Sequence, residues 1–309
     1  MVTNTSVRKQ KNHKNSRMTK GDVAFELVNG FLLLLLTIII VYPLVYVISA
    51  SFSDAQAVTS GEMMLWPVRP TLGNYMQVFE NKSIMLGYRN SLFLLFAGTA
   101  INLLMTILAA YPLSRRDLWG RNVIMKFITF TMFFSGGLVP TYILISRTLG
   151  LRNTWWALLL PGAISVYNMI IMRTFFATSI PYELQEAADI DGCSNLGILL
   201  RIILPLSGPI IAVLGLYYGV EHWNSYFNAM LYIAEESKQP LQLFLRKVLI
   251  VNSVQSLMDM ASDEAARQAM RAEVIKYAVI VVASLPMLIL YPFVQKFFVK
   301  GVMVGSIKG

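Results

Sequence analysis

The sequence predicts an all-α membrane protein with six transmembrane helices. Of its 309 residues, 56% are hydrophobic and only 14% are charged, whereas a soluble domain carries about 25% charged residues. A helix needs about 20 consecutive apolar residues to cross a hydrocarbon core of about 30 Å. Six uncharged runs approach or exceed that length, since the shortest has 19 residues and the next longest run has only 13. They lack the alternation of a membrane β-barrel. The runs are Leu27–Ser53, Asn90–Ser114, Phe127–Ser146, Asn153–Met172, Ile202–Val220 and Tyr277–Gln295.

The distribution of Lys and Arg predicts how these spans are oriented. A cytoplasmic N-terminus puts 15 of the 26 basic residues in the cytoplasm, where they crowd the ends of spans. The other 11 are spread over longer segments. We therefore expect both termini in the cytoplasm and external segments at residues 54–89 and 221–276. Residues 1–20 are predicted to be a disordered basic tail that anchors the topology and binds no nucleic acid, and residues 21–309 form the six-span domain.

Residues that bind metals or form disulfides are scarce in this chain. Cys193 is the only cysteine, which rules out an internal disulfide. His13 and His222 are the only histidines, so the sequence predicts no Cys/His metal site.

Local signals refine several of the spans. The second span ends at Arg115 and Arg116, which we expect to snorkel toward the lipid headgroups. Trp155 and Trp156 follow a short external connection and fit the aromatic belt of a membrane interface. Eight prolines lie in or at the ends of spans, which fits either a water-filled pathway or ordinary kinks between packed helices. They are Pro43, Pro112, Pro140, Pro161, Pro205, Pro209, Pro286 and Pro292.

The cytoplasmic loop over residues 181–201 predicts a short helix, a tight turn and a second helix. Pro181 suits a helix start because its φ angle is fixed and its missing N–H costs nothing there. Gly192 is expected to end the first helix, since glycine readily adopts the left-handed cap conformation. Ser194 or Asn195 can cap the second helix, which leads into the fifth span. We expect this element to lie on the membrane surface and to present small residues to a cytoplasmic partner.

The same loop carries a motif at fixed spacing. It reads Glu-Ala-Ala, three residues, Gly, nine residues and Ile-x-Leu-Pro, formed by Glu186, Ala187, Ala188, Gly192, Ile202, Leu204 and Pro205. This pattern resembles the EAA loop of ABC-importer permeases, the membrane subunits that clasp a separate ATPase. The resemblance implies a type I ABC-importer permease fold in which these residues couple the spans to the ATPase, with Glu186 as the anionic contact. Asp189 and Asp191 lie outside the motif and fit either a solvated face or a contact.

The resemblance extends over residues 20–309 and implies partners and a substrate class. Residues 223–229 and 299–305 are similar to the carbohydrate branch of the family, whose permeases carry complex oligosaccharides or polysaccharide fragments. The family resemblance implies a second related permease, two copies of the ATPase and an extracytoplasmic binding protein. It also implies a multi-pass protein of the bacterial cell membrane that binds no cofactor itself, with ATP and Mg²⁺ held by the ATPase.

Aromatic and amide side chains concentrate at the outer end of the fifth span. Sugars are recognised by aromatic rings against their apolar faces and by hydrogen bonds to their hydroxyls, so this mixture is a candidate substrate pathway. The alternative is an interfacial aromatic belt. The candidate residues are Tyr217, Tyr218, Trp223, Asn224, Tyr226 and Asn228.

The long external segment contains an amphipathic stretch, Met258–Glu273. It predicts a surface helix, which together with Asp54–Arg89 could dock the binding protein. The alternative is a solvated lid without a partner.

Several other functional classes would require motifs or residues that this sequence lacks. It contains no G-x-x-x-x-G-K-[ST] loop, so we expect ATP hydrolysis in another subunit and no enzymatic activity in this chain. An ABC permease for amino acids or peptides stays open as an alternative. An intramembrane enzyme or an ion-coupled secondary transporter would call for ionisable groups within the spans. The six runs contain no Asp, Glu, Lys, Arg or His.

Overall fold

The computed structural model describes residues 20–247, 270, 274–292 and 295, and all regular secondary structure in this part of the chain is helical. Short π-helical turns cover Leu144–Thr148 and Leu199–Ile203. Residues 236–238 form a 3-10 turn and residues 241–247 are helical. The helices are α1 (Lys20–Phe52), α2 (Ala55–Thr59), α3 (Gly73–Glu80), α4 (Lys82–Ser114), α5 (Arg121–Phe133), α6 (Leu138–Ile143), α7 (Trp156–Leu159), α8 (Val166–Thr178), α9 (Tyr182–Ile190), α10 (Asn195–Ile198), α11 (Leu204–Leu206), α12 (Gly208–Asn224), α13 (Phe227–Tyr232) and α14 (Val274–Pro292).

The described residues contain three to five candidate membrane spans. The helices α1, α4 and α14 are each long and apolar enough to cross a membrane. Two bent pairs add one span each if each pair is counted as one: α5 with Leu138–Thr148, bent by 105°, and Asn195–Leu206 with α12, bent by 83°. The fourth predicted run, Asn153–Met172, is not one helix, because it is divided between α7 and α8.

Polar side chains from neighbouring helices satisfy the backbone where α7 and α8 are separated. The amide of Asn102 donates a hydrogen bond to the carbonyl oxygen of Gly162 at 2.5 Å. The hydroxyl oxygen of Tyr218 accepts one from the backbone N–H of Ser165 at 3.2 Å and lies 2.7 Å from the hydroxyl of Thr106. Non-helical backbone is tolerated at membrane depth only where it is buried in protein or lines a water-filled cavity. Asn102 and Tyr218 therefore stabilise this break.

The bend between α11 and α12 follows from two prolines. Pro205 and Pro209 lack the N–H that would bond to the preceding turn. Between them, the hydroxyl of Ser207 donates to the carbonyl oxygen of Ile203 at 2.6 Å, and its backbone N–H bonds to Leu204 at 3.0 Å. The fifth predicted span is therefore bent, with local bonds compensating for the lost ones.

The third predicted span is interrupted by glycine. Its helix ends at Phe133, and Gly136 and Gly137 follow before α6 begins. Gly137 has φ of 84°, in the region that favours glycine. Glycine in a helix costs about 1 kcal/mol relative to alanine, so two in succession favour a break here.

The helix α4 is the centre of the bundle and packs against both α8 and α12. A close approach to α12 occurs at Gly98, where an added Cβ atom would lie 2.4 Å from Nε2 of His222. The same Nε2 atom lies 2.6 Å from the side-chain oxygen of Asn102. Glycine at position 98 therefore makes room for a ring that bonds to α4.

Side chains at the start of α4 position the segment that follows α13. The amide of Asn90 donates to the carbonyl oxygens of Ser237 at 2.8 Å and Gln239 at 3.0 Å. The hydroxyl oxygen of Ser91 accepts a hydrogen bond from the backbone N–H of Leu241 at 2.9 Å. These bonds fix the start of the helix at residues 241–247 against α4.

Several sequence predictions concern residues that the structure does not describe. Residues 1–19 of the predicted tail, the end of the chain over residues 299–305, and the amphipathic stretch Met258–Glu273, except for Met270, lie outside the described residues.

Candidate functional site

The cytoplasmic loop forms the short helix that the sequence predicts. Pro181 immediately precedes the first helical residue of α9. Glu186 and Ala187 are exposed, but Ala188 is buried in the core of the bundle together with Gln185. Residues three apart lie on the same face of a helix, so positions 185 and 188 both point inward. The expected small-residue face therefore consists of Ala187 without Ala188, flanked by exposed Leu184 and Ile190.

The turn after α9 is a Schellman motif centred on Gly192. Gly192 has φ of 75°, as predicted. The backbone N–H of Cys193 bonds to the carbonyl oxygen of Ala188 at 2.9 Å, and that of Gly192 bonds to Asp189 at 3.1 Å. Ser194 then caps α10 through its side-chain oxygen, which was one of the two predicted caps. The turn thus fixes the direction of α9 relative to the next helix.

The last part of the motif lies at the base of the bent span. Ile202 belongs to the π-helical turn that precedes α11, whereas Leu204 and Pro205 belong to α11 itself. Ile202 and Leu204 are half-buried against the core that also contains Ala188. The motif therefore connects the exposed helix α9 to the packed base of the bent span.

Two consecutive arginines after α4 hold the two ends of α9. The guanidinium of Arg115 donates to the carboxylate of Asp189 at 3.1 Å, near the end of α9. The guanidinium of Arg116 lies 4.7 Å from the ring centroid of Tyr182, the first residue of α9. The prediction that Arg115 snorkels to lipid headgroups is wrong, because Arg115 is buried and binds the loop instead. Arg116 is exposed, and its snorkelling stays a prediction.

The electrostatics at Arg115 favour a fixed ion pair. Its guanidinium also donates to Asp117 at 2.8 Å and to the hydroxyl of Tyr111 at 3.3 Å. The hydrogen bond with Asp117 raises the pKa of Arg115, and burial opposes that rise. The same hydrogen bond lowers the pKa of Asp117 below its usual value. Arg115 is therefore a permanently charged anchor between α4 and α9.

Two of the six predicted sugar-pathway residues are buried within the bundle. Tyr218 bonds across the break between α7 and α8, as described above. The indole N–H of Trp223 donates to the carbonyl oxygen of Ala283 at 3.0 Å, and its ring lies edge-on to Tyr88 with centroids 5.5 Å apart. Tyr218 and Trp223 therefore connect α12 to α4, to α14 and to the break between α7 and α8. Both side chains have a packing role in this conformation.

The other four predicted pathway residues are exposed, and two of them line a cavity. The cavity has a volume of about 730 Å³ and lies between the end of α12, residues 242–246 and α14. Asn224 and Tyr226 line it, and Trp223 forms part of its wall. Tyr217 and Asn228 are exposed elsewhere. A sugar pathway along all six residues stays a prediction.

Two arginines, Arg115 and Arg246, contact residues of these regions in ways that no sequence pattern indicates. Asp189 accepts its hydrogen bond from a residue 74 positions earlier in the chain, and no spacing rule specifies such a partner. At the other end, Arg246 lies 4.8 Å from the ring centroid of Tyr226. Arg246 lies in the long segment between two apolar runs, and neither its spacing nor its neighbours in the sequence indicate a contact with Tyr226.

The chain is similar to bacterial transport permeases over nearly its whole length. Residues 102–304 match the family described as "Binding-protein-dependent transport system inner membrane component". The chain is 43% identical over 283 residues to the polygalacturonan/rhamnogalacturonan transport system permease protein YtcP of Bacillus subtilis (strain 168), covering 92% of this chain and 97% of that protein. It is 41% identical over 292 residues to Protein LplC of the same organism, covering 94% of this chain and 97% of that protein.

A solved structure agrees with this assignment. The fold matches a chain in the crystal structure of a bacterial ABC transporter involved in the import of the acidic polysaccharide alginate, with a TM-score of 0.82 and 33% identity. The match covers 92% of this chain and 100% of that chain. The EAA-loop resemblance is thereby confirmed at the level of family and fold. This chain belongs to the family of binding-protein-dependent transport system inner membrane components.

Proposed function

We propose that the chain is one of two permease subunits of an ATP-driven, binding-protein-dependent importer for oligosaccharides. The observation that carries this proposal is the position of α9. It exposes Glu186 and Ala187 while Arg115 and Arg116 hold it to the end of α4. Such a helix can receive force from a cytoplasmic partner and pass it to the spans. The family is one of transport permeases and not of enzymes, and we assign ATP hydrolysis, ATP and Mg²⁺ to the partner ATPase.

The oligosaccharide assignment is supported by the relatives. YtcP is named for the transport of polygalacturonan and rhamnogalacturonan, and the solved relative for import of the polysaccharide alginate. Both share at least one third of their residues with this chain over nine-tenths of its length or more. We therefore favour oligosaccharides over amino acids or peptides.

We further propose six spans with both termini in the cytoplasm of a bacterium. Three to five candidate spans come from continuous or bent helices. The sixth is formed by α7 and α8 together, since Asn102 and Tyr218 satisfy the backbone between them. The EAA loop and the Arg115 anchor then lie on the cytoplasmic side, and the cavity beside Tyr226 lies near the outer side.

The proposed complex contains a second related permease, two ATPase copies and an extracytoplasmic binding protein. The family description supports the last of these, because it names a binding-protein-dependent system. The external segments at residues 54–89 and 221–276 are the proposed docking surface for the binding protein. The predicted amphipathic helix within the second segment is part of this proposal.

In this mechanism, the movement of α9 is transmitted through two contacts. The ATPase dimer closes on ATP and draws the two coupling helices together. Because Arg115 links Asp189 to the end of α4, and Arg116 packs on Tyr182, α4 moves with α9 rather than independently. The helix α4 packs on α8 and α12, so the movement reaches the helices around the break and the bend.

The proposal is tested by ATP hydrolysis in the purified complex of both permeases and the ATPase. The complex is presented with its binding protein loaded with oligosaccharides, amino acids or peptides. We expect loaded oligosaccharides to stimulate hydrolysis. Stimulation only by an amino acid or a peptide would keep the coupling role of the EAA loop and overturn the carbohydrate assignment.

A further inference from the structure

The cavity at the end of α12 has an apolar side and a polar side. Its volume of about 730 Å³ falls in the range of small-molecule sites, about 300–1,000 Å³. The side formed by α14 is mostly apolar, with Ile280, Ala283, Met287 and Leu288. The opposite side carries four groups that can bind a polar ligand: Asn224, Tyr226, Gln242 and Arg246.

Arg246 is the charged group of this cavity, and its charge is not neutralised by the described part of the chain. Its contact there is the ring of Tyr226, at 4.8 Å from the guanidinium to the ring centroid. No carboxylate among the described residues forms an ion pair with it. Lys247, the next residue, bonds instead to the side-chain oxygen of Gln239 at 2.8 Å and lies 3.6 Å from the carboxylate of Glu236. Within the described part of the chain, no acceptor takes a hydrogen bond from the N–H donors of Arg246, and a ligand can use them.

The neighbouring amides complete a site with the chemistry of a sugar ligand. The side-chain N–H of Asn224 donates to the carbonyl oxygen of Val220 at 3.0 Å, which leaves its side-chain oxygen to accept from a hydroxyl. Gln242 lies four residues before Arg246 in the same helical segment, so both side chains share one face. The exposed part of the Tyr226 ring offers an apolar surface to a pyranose.

A guanidinium that has no carboxylate partner among the described residues, in a partly enclosed site, favours a ligand that carries negative charge. A neutral sugar would desolvate Arg246 without compensating its charge, and that carries an energetic cost. A carboxylate matches the planar fork of arginine with two parallel hydrogen bonds. We propose that this cavity is a substrate subsite for anionic oligosaccharides built of uronic acids, in which Arg246 binds the sugar carboxylate. This inference rests on the proposed function and names the substrate class of that transporter.

The direct test measures binding to the complete complex in nanodiscs without its binding protein. Saturation-transfer NMR gives the affinities for trigalacturonate and for galactotriose of the same linkage, which lacks the carboxylates. We expect trigalacturonate to bind about tenfold more tightly, as a charge-assisted pair implies. Arg246→Gln removes that difference, and Arg246→Lys keeps only part of it. The matched control, Lys247→Gln, removes the neighbouring cation and leaves both affinities unchanged.

Three results of this titration would overturn the subsite. The first is equal affinity of the wild-type complex for the two trisaccharides. The second is an Arg246→Gln variant that loses affinity for both sugars equally, because the side chain would then act through packing alone. The third is tighter binding of galactose 6-phosphate than of trigalacturonate, which would identify the anion as a phosphate.

A second measurement separates failure of the subsite from failure of the proposed function. ATP hydrolysis is followed with binding protein loaded with trigalacturonate, galactotriose or an amino acid. Stimulation by trigalacturonate, reduced by Arg246→Gln but not by Lys247→Gln, supports both proposals. Stimulation by the neutral trisaccharide alone overturns the uronate subsite and leaves the oligosaccharide importer standing. Stimulation by the amino acid alone overturns both.

Discussion

The coupling loop and the outer end of α12 use their side chains in opposite ways. In the loop, the outward face of α9 is exposed, and its inward face is buried or anchored by the arginines that follow α4. At the end of α12, two of the six candidate contacts, Tyr218 and Trp223, are buried and hold other helices together. The other four are exposed, and two of these, Asn224 and Tyr226, line the cavity.

This difference shows what each kind of sequence signal can specify. A motif at fixed spacing on one short helix determines which side chains share a face. A cluster of aromatic residues on a long buried helix does not, because neighbouring helices decide which rings they cover. The fixed-spacing motif therefore identifies a contact surface on α9, whereas part of the aromatic cluster on α12 serves packing. The following predictions test that contrast.

The largest effect is expected from Glu186→Lys on the exposed face of α9. The change should leave membrane insertion intact and abolish docking of the ATPase, since it replaces the proposed anionic contact with a cation. Copurification of the ATPase with the permease pair measures this. Glu80→Lys, which also reverses an exposed charge but lies in the predicted external segment, is the control and should retain the ATPase. Retention by both variants would count against the coupling role of α9.

We expect a substitution of Gly192 to impair coupling because the turn requires a positive φ angle at this position. A Cβ atom at this position meets nothing within 4 Å, so the cost of Gly192→Val comes from φ of 75° and amounts to about 1–2 kcal/mol. We expect lower transport per ATP hydrolysed, because α9 changes direction. Gly150→Val is matched, with φ of 63° and equally open space, but lies outside the loop. Equal uncoupling by both variants would show that backbone strain anywhere suffices.

At the outer end of α12, we expect a substitution to lower the stability of the complex without affecting the docking of the ATPase. Gly98→Ala places a methyl group 2.4 Å from Nε2 of His222, and overpacking of this kind costs about 1–3 kcal/mol. The melting temperature of the purified complex should fall. Gly30→Ala, in the interior of α1 with nothing within 4 Å, should not lower it. An unchanged melting temperature for Gly98→Ala would mean that α4 and α12 separate easily.

The smallest effect is expected from neutralising either of the two carboxylates that bind Arg115. Asp189→Asn weakens the link between α4 and α9, whereas Asp117→Asn weakens only a contact with a residue two positions away. Both should cost stability, by about 1 kcal/mol each, because both carboxylates are partly solvated. Only Asp189→Asn should lower transport per ATP. If Asp117→Asn uncouples equally, the link to α9 is not the relevant one.

The parts of the fold set by local chemistry could be predicted from the sequence. The start of α9 after Pro181, the left-handed Gly192 and the Ser194 cap each follow from residues within one turn of the feature. The break in the fourth predicted run could not be predicted in this way. Whether a charge-free run such as Asn153–Met172 continues as one helix depends on groups far away in the chain, here Asn102 and Tyr218, which satisfy the backbone at its break.

The candidate site, too, could be predicted from the sequence only where neighbouring residues in the chain determine it. The EAA spacing placed Glu186 and Ala187 on the exposed face, but burial of Ala188 depends on what packs beneath the helix. The snorkelling of Arg115 was a sound local expectation for a cation at a span end. It failed because a carboxylate on another helix lies within 3.1 Å. Arg246 had no local signal, since its contact with Tyr226 exists only in the folded chain.

The central claim is that α9 docks in the ATPase, and cysteine protection tests it most directly. In a Cys193→Ser background, the Ala187→Cys variant is labelled with a bulky maleimide, first in the permease pair alone and then with the ATPase bound. The account predicts fast labelling of the pair, because Ala187 is exposed, and strong protection in the complete complex. Ser60→Cys, exposed in the predicted external segment, should label equally in both. Equal labelling of the Ala187→Cys variant with and without the ATPase would contradict the account.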